Sequence, residues 1–314
     1  MDQRAPLVTI GMPTYNGARY LAQSLDSLLN QDYPNWELVI SDNCSTDDTE
    51  RIARSYAAQH PQIRYVRSPV NRGAAANFNR VLELATGPYF VFAADHDLWA
   101  PTFLSRCVSV LEASPHSVLV YAQTTLTSMD GRLLEVMNDR IELGDRSAVA
   151  RYRSLIWNLY ACNMVYGVGR LEAFRSAGGF ADIFGPDLLL MAGLVLQGPV
   201  ERIEEPLYFR RQNRAEETFE ETRVRILNDL NPATALRRKM VPYVAQMREL
   251  RDAHLRAVRS ATTLSAIERI ESAVATLACY RQKHGVRSRA VKALSLVFRV
   301  SPLRGWVQRP SGPA

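Results

Sequence analysis

At 314 residues, with 47% hydrophobic and 22% charged residues, the chain is long enough for one large α/β domain plus an appendage, and its composition excludes disordered or collagen-like protein. The net charge of +6 is unevenly divided: residues 221–314 hold 18 Lys and Arg against 6 Asp and Glu, whereas residues 1–220 hold 20 against 26. An acidic front with a basic tail suits contact with anionic lipid headgroups, or simply a solvated helical face; nucleic acid is not expected, because the tail lacks interleaved aromatics and a reading motif.

Apolar, β-branched runs bounded by turn residues recur at Leu7–Gly11, Trp36–Ser41, Ile63–Val66, Tyr89–Ala93 and Val118–Tyr121. Helical periodicity fills the intervals Ala18–Asn30, Asp47–Gln59, Ala74–Ala85 and Thr102–Ala113. This alternation predicts a Rossmann-related, mostly parallel sheet with helices on both faces. Asp130-Gly131 is a hairpin signal, 132–150 reads as a polar loop, and helices are expected at Leu171–Ala177 and Asp187–Gln197. Val200–Ile203 and Pro206–Arg211 would close a first domain over residues 1–215. Residues 216–314 read as a basic C-terminal helical extension: two or three amphipathic helices over 217–284, then another near Arg287–Val300. That last helix could rest on an anionic membrane, pack on the first domain, or meet a second copy of the chain as a homodimer. The apolar run near Leu188–Leu196 is too short to span a bilayer and no signal segment precedes the first strand, so the expected location is cytoplasmic, at most peripheral to a membrane. The four cysteines (Cys44, Cys107, Cys162, Cys279) are scattered and read as reduced packing thiols.

Four polar motifs stand where predicted strands end. In an open α/β sheet the carboxyl ends of the strands line one crevice, so these motifs should converge on a single ligand. The first is Pro13-Thr14-Tyr15-Asn16, in which Tyr15 offers an aromatic face to a base. In the second, Asp42 can accept from a uracil imide or a ribose hydroxyl; an Asx turn is the plainer alternative. In the third, Asn71-Arg72-Gly73, Arg72 could meet a diphosphate and Gly73 would let backbone approach it, while Asn77 and Asn79 either join the nucleotide site or pin the neighbouring loop. The fourth is Asp95-His96-Asp97, where Asp97 is the expected direct ligand of Mg²⁺ or Mn²⁺, Asp95 reaches ribose or metal-bound water, and Asp95 and His96 are the secondary metal candidates.

In this order the motifs resemble a family 2 inverting glycosyltransferase of the GT-A fold, over residues 7–213. The resemblance implies transfer of a sugar from a nucleotide diphosphate, a UDP-sugar weakly favoured, to an acceptor hydroxyl on a glycan or lipid-linked sugar in bacterial surface glycan or glycolipid synthesis, with Mg²⁺ or Mn²⁺ on the diphosphate. It makes Asp187, in Gly185-Pro186-Asp187, the catalytic base; an N-cap aspartate is the structural alternative. Arg210, Arg211 and Tyr166 become the residues expected at the diphosphate or acceptor. Three departures are visible: His96 splits the usual adjacent carboxylates, Pro186 replaces a glutamate, and Arg210-Arg211-Gln212-Asn213 lacks the family's histidine. Two alternatives are a non-catalytic sugar-nucleotide-binding or scaffolding protein and a nucleotidyltransferase; the second lacks a basic, glycine-rich loop after the first strand.

Overall fold

The first strand, β1 (Val8–Thr14), pairs in parallel with β2 (Trp36–Asp42) on one side and β4 (Tyr89–Phe92) on the other, and β3 (Ile63–Arg67) continues the sheet beyond β2. These strands and those below belong to a computed structural model that describes residues 5–159, 162–211, 219–230 and 238–286. The helices between them are α1 (Ala18–Leu29), α2 (Thr49–Gln59) and α3 (Ala74–Glu83), within about two residues of the intervals set by periodicity. Each presents an apolar stripe: Leu21, Leu25 and Leu28 of α1 are buried, and full burial of such a side chain contributes about 2 kcal/mol.

The period-two alternation of the strands divides the core into two layers. Tyr89 and Val91 of β4 face one layer with Leu38 and Ile40, whereas Phe90 and Phe92 face the other with Val39. Gly11 permits the tight fit of α3 on β1, since a Cβ there would stand 2.8 Å from both the Phe90 ring and Val81.

Beyond β4 the sheet becomes mixed. Described strands run in the order β3-β2-β1-β4-β8-β6-β9-β5, with β5 (Leu98–Trp99), β6 (Leu119–Thr127), β8 (Val168–Arg170) and β9 (Val200–Arg211); β7 (Leu133–Val136) pairs with β6. Helix α4 (Phe103–Ala113) precedes β6. The stretch 132–150, expected to be a loop, contains β7 and the start of α5 (Ala148–Asn158). All four β7 residues are exposed, so the strand leaves no inside–outside alternation to read. The two expected terminal segments are one strand, β9, whose register against β6 shifts on either side of Gln123 and so absorbs Glu204-Glu205 and then Leu207. Helices α6 (Leu171–Ser176) and α7 (Pro186–Gln197) lie where they were expected.

The described part of the C-terminal extension is α8 (Phe219–Leu230), α9 (Tyr243–Ser260) and α10 (Ala266–His284). These helices do not form a core apart: Leu227, Leu230, Val258, Leu264 and Ala275 pack in the same cluster as Phe92 and Leu190. Polar ties reinforce the seam, for Tyr152 Oη bonds Thr276 Oγ1 at 2.7 Å and His254 Nδ1 at 3.3 Å, and Thr263 donates to the Leu196 carbonyl at 2.8 Å. The expected membrane helix Arg287–Val300 lies outside the described residues, as do Gln212 and Asn213. Among the described residues no helix is long and apolar enough to cross a membrane.

Candidate active site

The chain order reverses between β1 and β4, which makes the carboxyl ends of these two strands the natural ligand crevice of the sheet. Thr14 ends β1 and donates its hydroxyl to Asp95 Oδ2 at 2.5 Å, joining the first and fourth motifs. Gly17 makes that approach possible, because a Cβ there would stand 2.3 Å from Asp95 Oδ2. Asn16 adopts a left-handed conformation (φ 52°), and its Oδ1 accepts from the Thr46 N–H at 2.8 Å. Ser45 and Asp47 accept from the Asn16 and Ala18 N–H groups, so the β1 and β2 loops clamp each other. Pro13 is in β1 itself. Tyr15, which follows β1 directly, keeps 47% of its surface exposed.

Asp42 does not stand in the crevice. It is 0% exposed, Oδ1 accepts from the Ser45 N–H at 2.8 Å, and Oδ2 accepts from the Tyr65 hydroxyl at 2.6 Å and Arg67 Nη1 at 3.3 Å. The expected contact to a base or ribose is therefore corrected to an organising role beneath the loop, close to the Asx-turn alternative. Asn79 is corrected as well: its amide makes a two-way pair with the Phe180 backbone, donating at 2.9 Å and accepting at 2.7 Å, and so ties α3 to the chain leading into α7. Asn77 is buried and bonds Ser41 and the Thr14 carbonyl. Asn43, not singled out in the sequence, holds the third motif, donating to Asn71 Oδ1 at 2.8 Å and accepting from the Arg72 N–H at 2.9 Å. Gly73 opens α3 at φ 84°, and the Arg72 side chain is exposed beside it, lining a cavity of about 490 Å³ with Asn43, Ser68 and Arg80.

The fourth motif divides into an outer and an inner part. Asp97 is 1% exposed; Oδ1 accepts from the Arg211 N–H at 2.8 Å and Oδ2 from the Tyr208 hydroxyl. Each oxygen thus accepts one hydrogen bond from β9, which the carboxylate ties to the strand end, and Asp97 as the direct metal ligand is carried forward as a proposal. Asp95 and His96 face outward, with His96 Nδ1 2.8 Å from Asp95 Oδ1 and Nε2 3.9 Å from Asp97 Oδ1. Burial lowers the His96 pKa, but the Asp95 hydrogen bond and the charges of Asp97 and Asp95 outweigh it, so the net shift is upward. Among the described residues no group of three or more His, Cys, Asp or Glu is arranged to hold a metal ion. Asp95 and His96 are a sparse pair, which fits a hard cation that completes its shell with water and substrate phosphates.

Arg210 and Arg211 have different duties although adjacent. Arg211 donates to the His96 carbonyl at 2.7 Å and to Gln23, and its guanidinium lies 5.0 Å from the Tyr20 ring centroid; it is 5% exposed and committed to the fold. Arg210 donates to Asn163 Oδ1 at 2.7 Å and remains exposed. Burial lowers its pKa, yet neighbouring Tyr208, Tyr166, Asp97 and Asp187 hold it above the ordinary value. Tyr166 stacks on Tyr208 with ring centroids 5.5 Å apart, and burial together with the Asp97 charge raises its phenol.

Asp187 lies in the first turn of α7, whose cap is Gly185 at φ 78° and whose first residue is Pro186. It is therefore not the N-cap aspartate of the structural alternative. Two opposed effects act on it: burial disfavours the carboxylate, while the Leu188 and Asp187 N–H groups, Arg210 and the Cys162 thiol favour it. Burial prevails and the pKa is raised. Cys162 was read as packing only, and Tyr208 was not singled out; its sequence signal is no more than its place two residues before Arg210. The site thus joins an outward carboxylate and imidazole at the end of β4, an arginine on β9 and a carboxylate of raised pKa on α7.

Comparison with known proteins places this arrangement. Residues 9–175 match the family model described as glycosyl transferase family 2. The putative glycosyltransferase EpsE of Bacillus subtilis (strain 168) is 40% identical over 116 residues, 37% of this chain and 42% of that protein. The putative colanic acid biosynthesis glycosyl transferase WcaA of Escherichia coli (strain K12) is 39% identical over 100 residues, 32% of this chain and 36% of that protein. The chain thus spans less than half the length of these curated relatives. Among solved structures, residues 1–349 of S. aureus TarS superpose with a TM-score of 0.61 at 15% identity, covering 95% of this chain and 76% of that one; TarS has also been solved with UDP and with UDP-GlcNAc. This likeness shows the fold, a GT-A type α/β architecture. The family model covers more than half of the sequence, and the chain belongs to glycosyl transferase family 2.

Proposed function

We propose that the protein is a metal-dependent, inverting glycosyltransferase that moves a sugar from a nucleoside diphosphate sugar to an acceptor hydroxyl, with Asp187 as the general base. The observation that carries this reading is the state of Asp187: half-buried in the first turn of α7, raised in pKa and near an exposed arginine, Arg210. A base needs a pKa near the working pH, and most carboxylates are too acidic; burial moves Asp187 in the useful direction. The acceptor oxygen attacks the anomeric carbon as its proton passes to Asp187, the bond from that carbon to the diphosphate oxygen breaks, and Arg210 offers positive charge to the departing nucleoside diphosphate. A single displacement inverts the anomeric centre. A divalent cation held by Asp97, Asp95 and His96 would supply further charge neutralisation at the diphosphate. Tyr15 stacks on the base and Arg72 meets a phosphate from the opposite lip.

TarS complexes make UDP-sugars the first donors to test, and the name of WcaA points to a bacterial surface polysaccharide as acceptor. The peripheral membrane location rests on the basic balance of residues 221–314. The test is Asp187→Asn: transfer, or donor hydrolysis where the acceptor is missing, should fall while nucleotide binding persists. Retained turnover would remove Asp187 from the role. A second reading, a sugar-nucleotide-binding protein without turnover, is favoured by two observations: both Asp97 oxygens accept from β9, and His96 splits the carboxylate pair. Tight UDP binding with no hydrolysis or transfer in Mn²⁺ would support it.

A further inference from the structure

Of the arginines at the strand ends, Arg67 is matched by carboxylates, pairing with Asp42 and Glu50. Arg210 is held differently. Its side-chain partner is a neutral amide, for Asn163 Oδ1 accepts from Arg210 Nη1 at 2.7 Å. A guanidinium can only donate, so the amide oxygen must face it, and the NH₂ group of Asn163 turns to Met137 Sδ at 3.0 Å. Asn163 is 3% exposed, and both of its polar ends are committed inside the protein. Its frame is fixed as well. Asn163 opens the turn Asn163–Tyr166, in which the Val165 N–H donates to the Cys162 carbonyl at 3.3 Å and the Gly167 N–H to the Met164 carbonyl at 3.0 Å. Gly167 seats the turn against β6, since a Cβ there would stand 2.5 Å from the Val120 carbonyl oxygen. On the far side the Met137 N–H donates to the Thr124 carbonyl at 2.9 Å, which ties the residue that carries the sulfur to the same strand.

We infer that Asn163 is a positioning residue for Arg210: its amide oxygen fixes the direction of the guanidinium and leaves the positive charge uncancelled for an anionic ligand. A carboxylate in that place would hold the side chain equally well, but it would neutralise the charge that a diphosphate must meet. An apolar residue would keep the charge and lose the direction, so the arginine would be ordered only when the ligand binds, and affinity would fall by the cost of that ordering. Asparagine is the residue that supplies an acceptor of the right reach without a charge. Asn163 thereby acts on the phosphates through Arg210 and need not touch them.

The inference rests on the reading of Arg210 as a diphosphate contact, and two measurements on the full chain separate them. The first is calorimetric titration with UDP in Mn²⁺. The dissociation constant should rise about threefold in Asn163→Ala and about tenfold in Asn163→Asp. A role in packing alone gives the reverse order, because aspartate fills the volume of asparagine and alanine does not. In the Arg210→Ala background Asn163→Ala should add nothing further. The second is nitrogen-15 NMR of the arginine side chains without ligand, with the Arg210 signals assigned by their loss in Arg210→Ala. Its two Nη signals should be distinct in the wild type, where the bond to Asn163 slows rotation, and merged in Asn163→Ala. Where Arg210→Ala weakens UDP binding, an Asn163→Asp affinity equal to that of the wild type overturns the inference, and so does an undiminished effect of Asn163→Ala in the Arg210→Ala background; the alanine variants decide alone if the aspartate variant does not fold. Where Arg210→Ala binds UDP like the wild type, it is the diphosphate contact that fails. The NMR then decides: merged Nη signals in Asn163→Ala keep Asn163 as the residue that positions Arg210, and unchanged ones overturn it.

Discussion

Asp97 is buried and Asp187 half-buried, and the two carboxylates differ in what surrounds them. Asp97 is surrounded by donors from elements far away in sequence, the Tyr208 hydroxyl and the Arg211 N–H, both on β9. Asp187 has helix N–H groups, a thiol and a nearby arginine, and burial still raises it. Donor supply and depth together separate a carboxylate that holds the fold from the one proposed for proton transfer. The neighbouring arginines also differ: Arg211 is buried and tied through Nη1 and Nη2 to His96 and Gln23 beside the face of Tyr20, while Arg210 is exposed near Asp97 and Asp187.

The largest effect that would break this comparison is on turnover. Asp187→Asn should lower the rate of donor turnover by about 10²- to 10⁴-fold, measured as release of UDP, with the melting temperature unchanged or slightly raised because a half-buried charge is removed. Asp97→Ala should act on stability instead. It leaves the Tyr208 hydroxyl and the Arg211 N–H without their acceptor, at a cost of about 3 kcal/mol, read as a lower urea midpoint. Equal stability losses in the two variants would erase the distinction.

A comparable stability effect is expected from the seam between α5, α9 and α10. His254 is buried, and burial lowers its pKa to about 4 from an ordinary value of 6.5. On acidification the unfolded chain takes up this proton first, so stability contributed by the neutral imidazole is intact above pH 6.5 and declines as pH falls toward 4. The decline is about 3 kcal/mol in full, with no further loss from this group below its folded pKa. Chemical denaturation at several pH values should show the slope, and His254→Gln should flatten it.

Smaller effects distinguish the arginines. Arg210→Ala should reduce turnover about tenfold at near-constant stability, by an amount typical of one exposed charge-assisted contact, whereas Arg211→Ala should mainly destabilise. The smallest concerns the tail. Neutralising Arg287, Arg289, Lys292 and Arg299 to Gln should reduce flotation with liposomes containing anionic lipid, by about 1 kcal/mol per charge near the surface. Truncation before α8 is a poor substitute for this, because Leu227, Leu230 and Val258 are part of the shared core.

What was legible in the sequence follows from the range of the interactions. Strands β1 to β4 and helices α1 to α4 were readable because each buries one face and is bounded by turn residues, so pattern alone specifies them. The two-residue β5 and the exposed β7 carry no such pattern, and α5 was hidden within a polar stretch whose one local sign was Ser147, which accepts from the Ala150 N–H. Asp187 was legible through the family resemblance and the apolar run that follows it, although Pro186 departs from the family pattern. The standing of Asp42 and Asp97 was not, because their partners come from other strands: Tyr65 and Arg67 from β3, Tyr208 and Arg211 from β9. A motif shows which carboxylates reach the strand ends; the tertiary donors decide which of them remain free to act.

The most direct test of the central claim is calorimetric titration of Asp187→Asn and the wild-type chain with UDP in Mn²⁺, on preparations assayed for donor turnover. The account predicts dissociation constants within a few-fold of each other while turnover is lost. Loss of UDP binding together with turnover would contradict it, since Asp187 would then be holding the donor site rather than accepting the acceptor's proton.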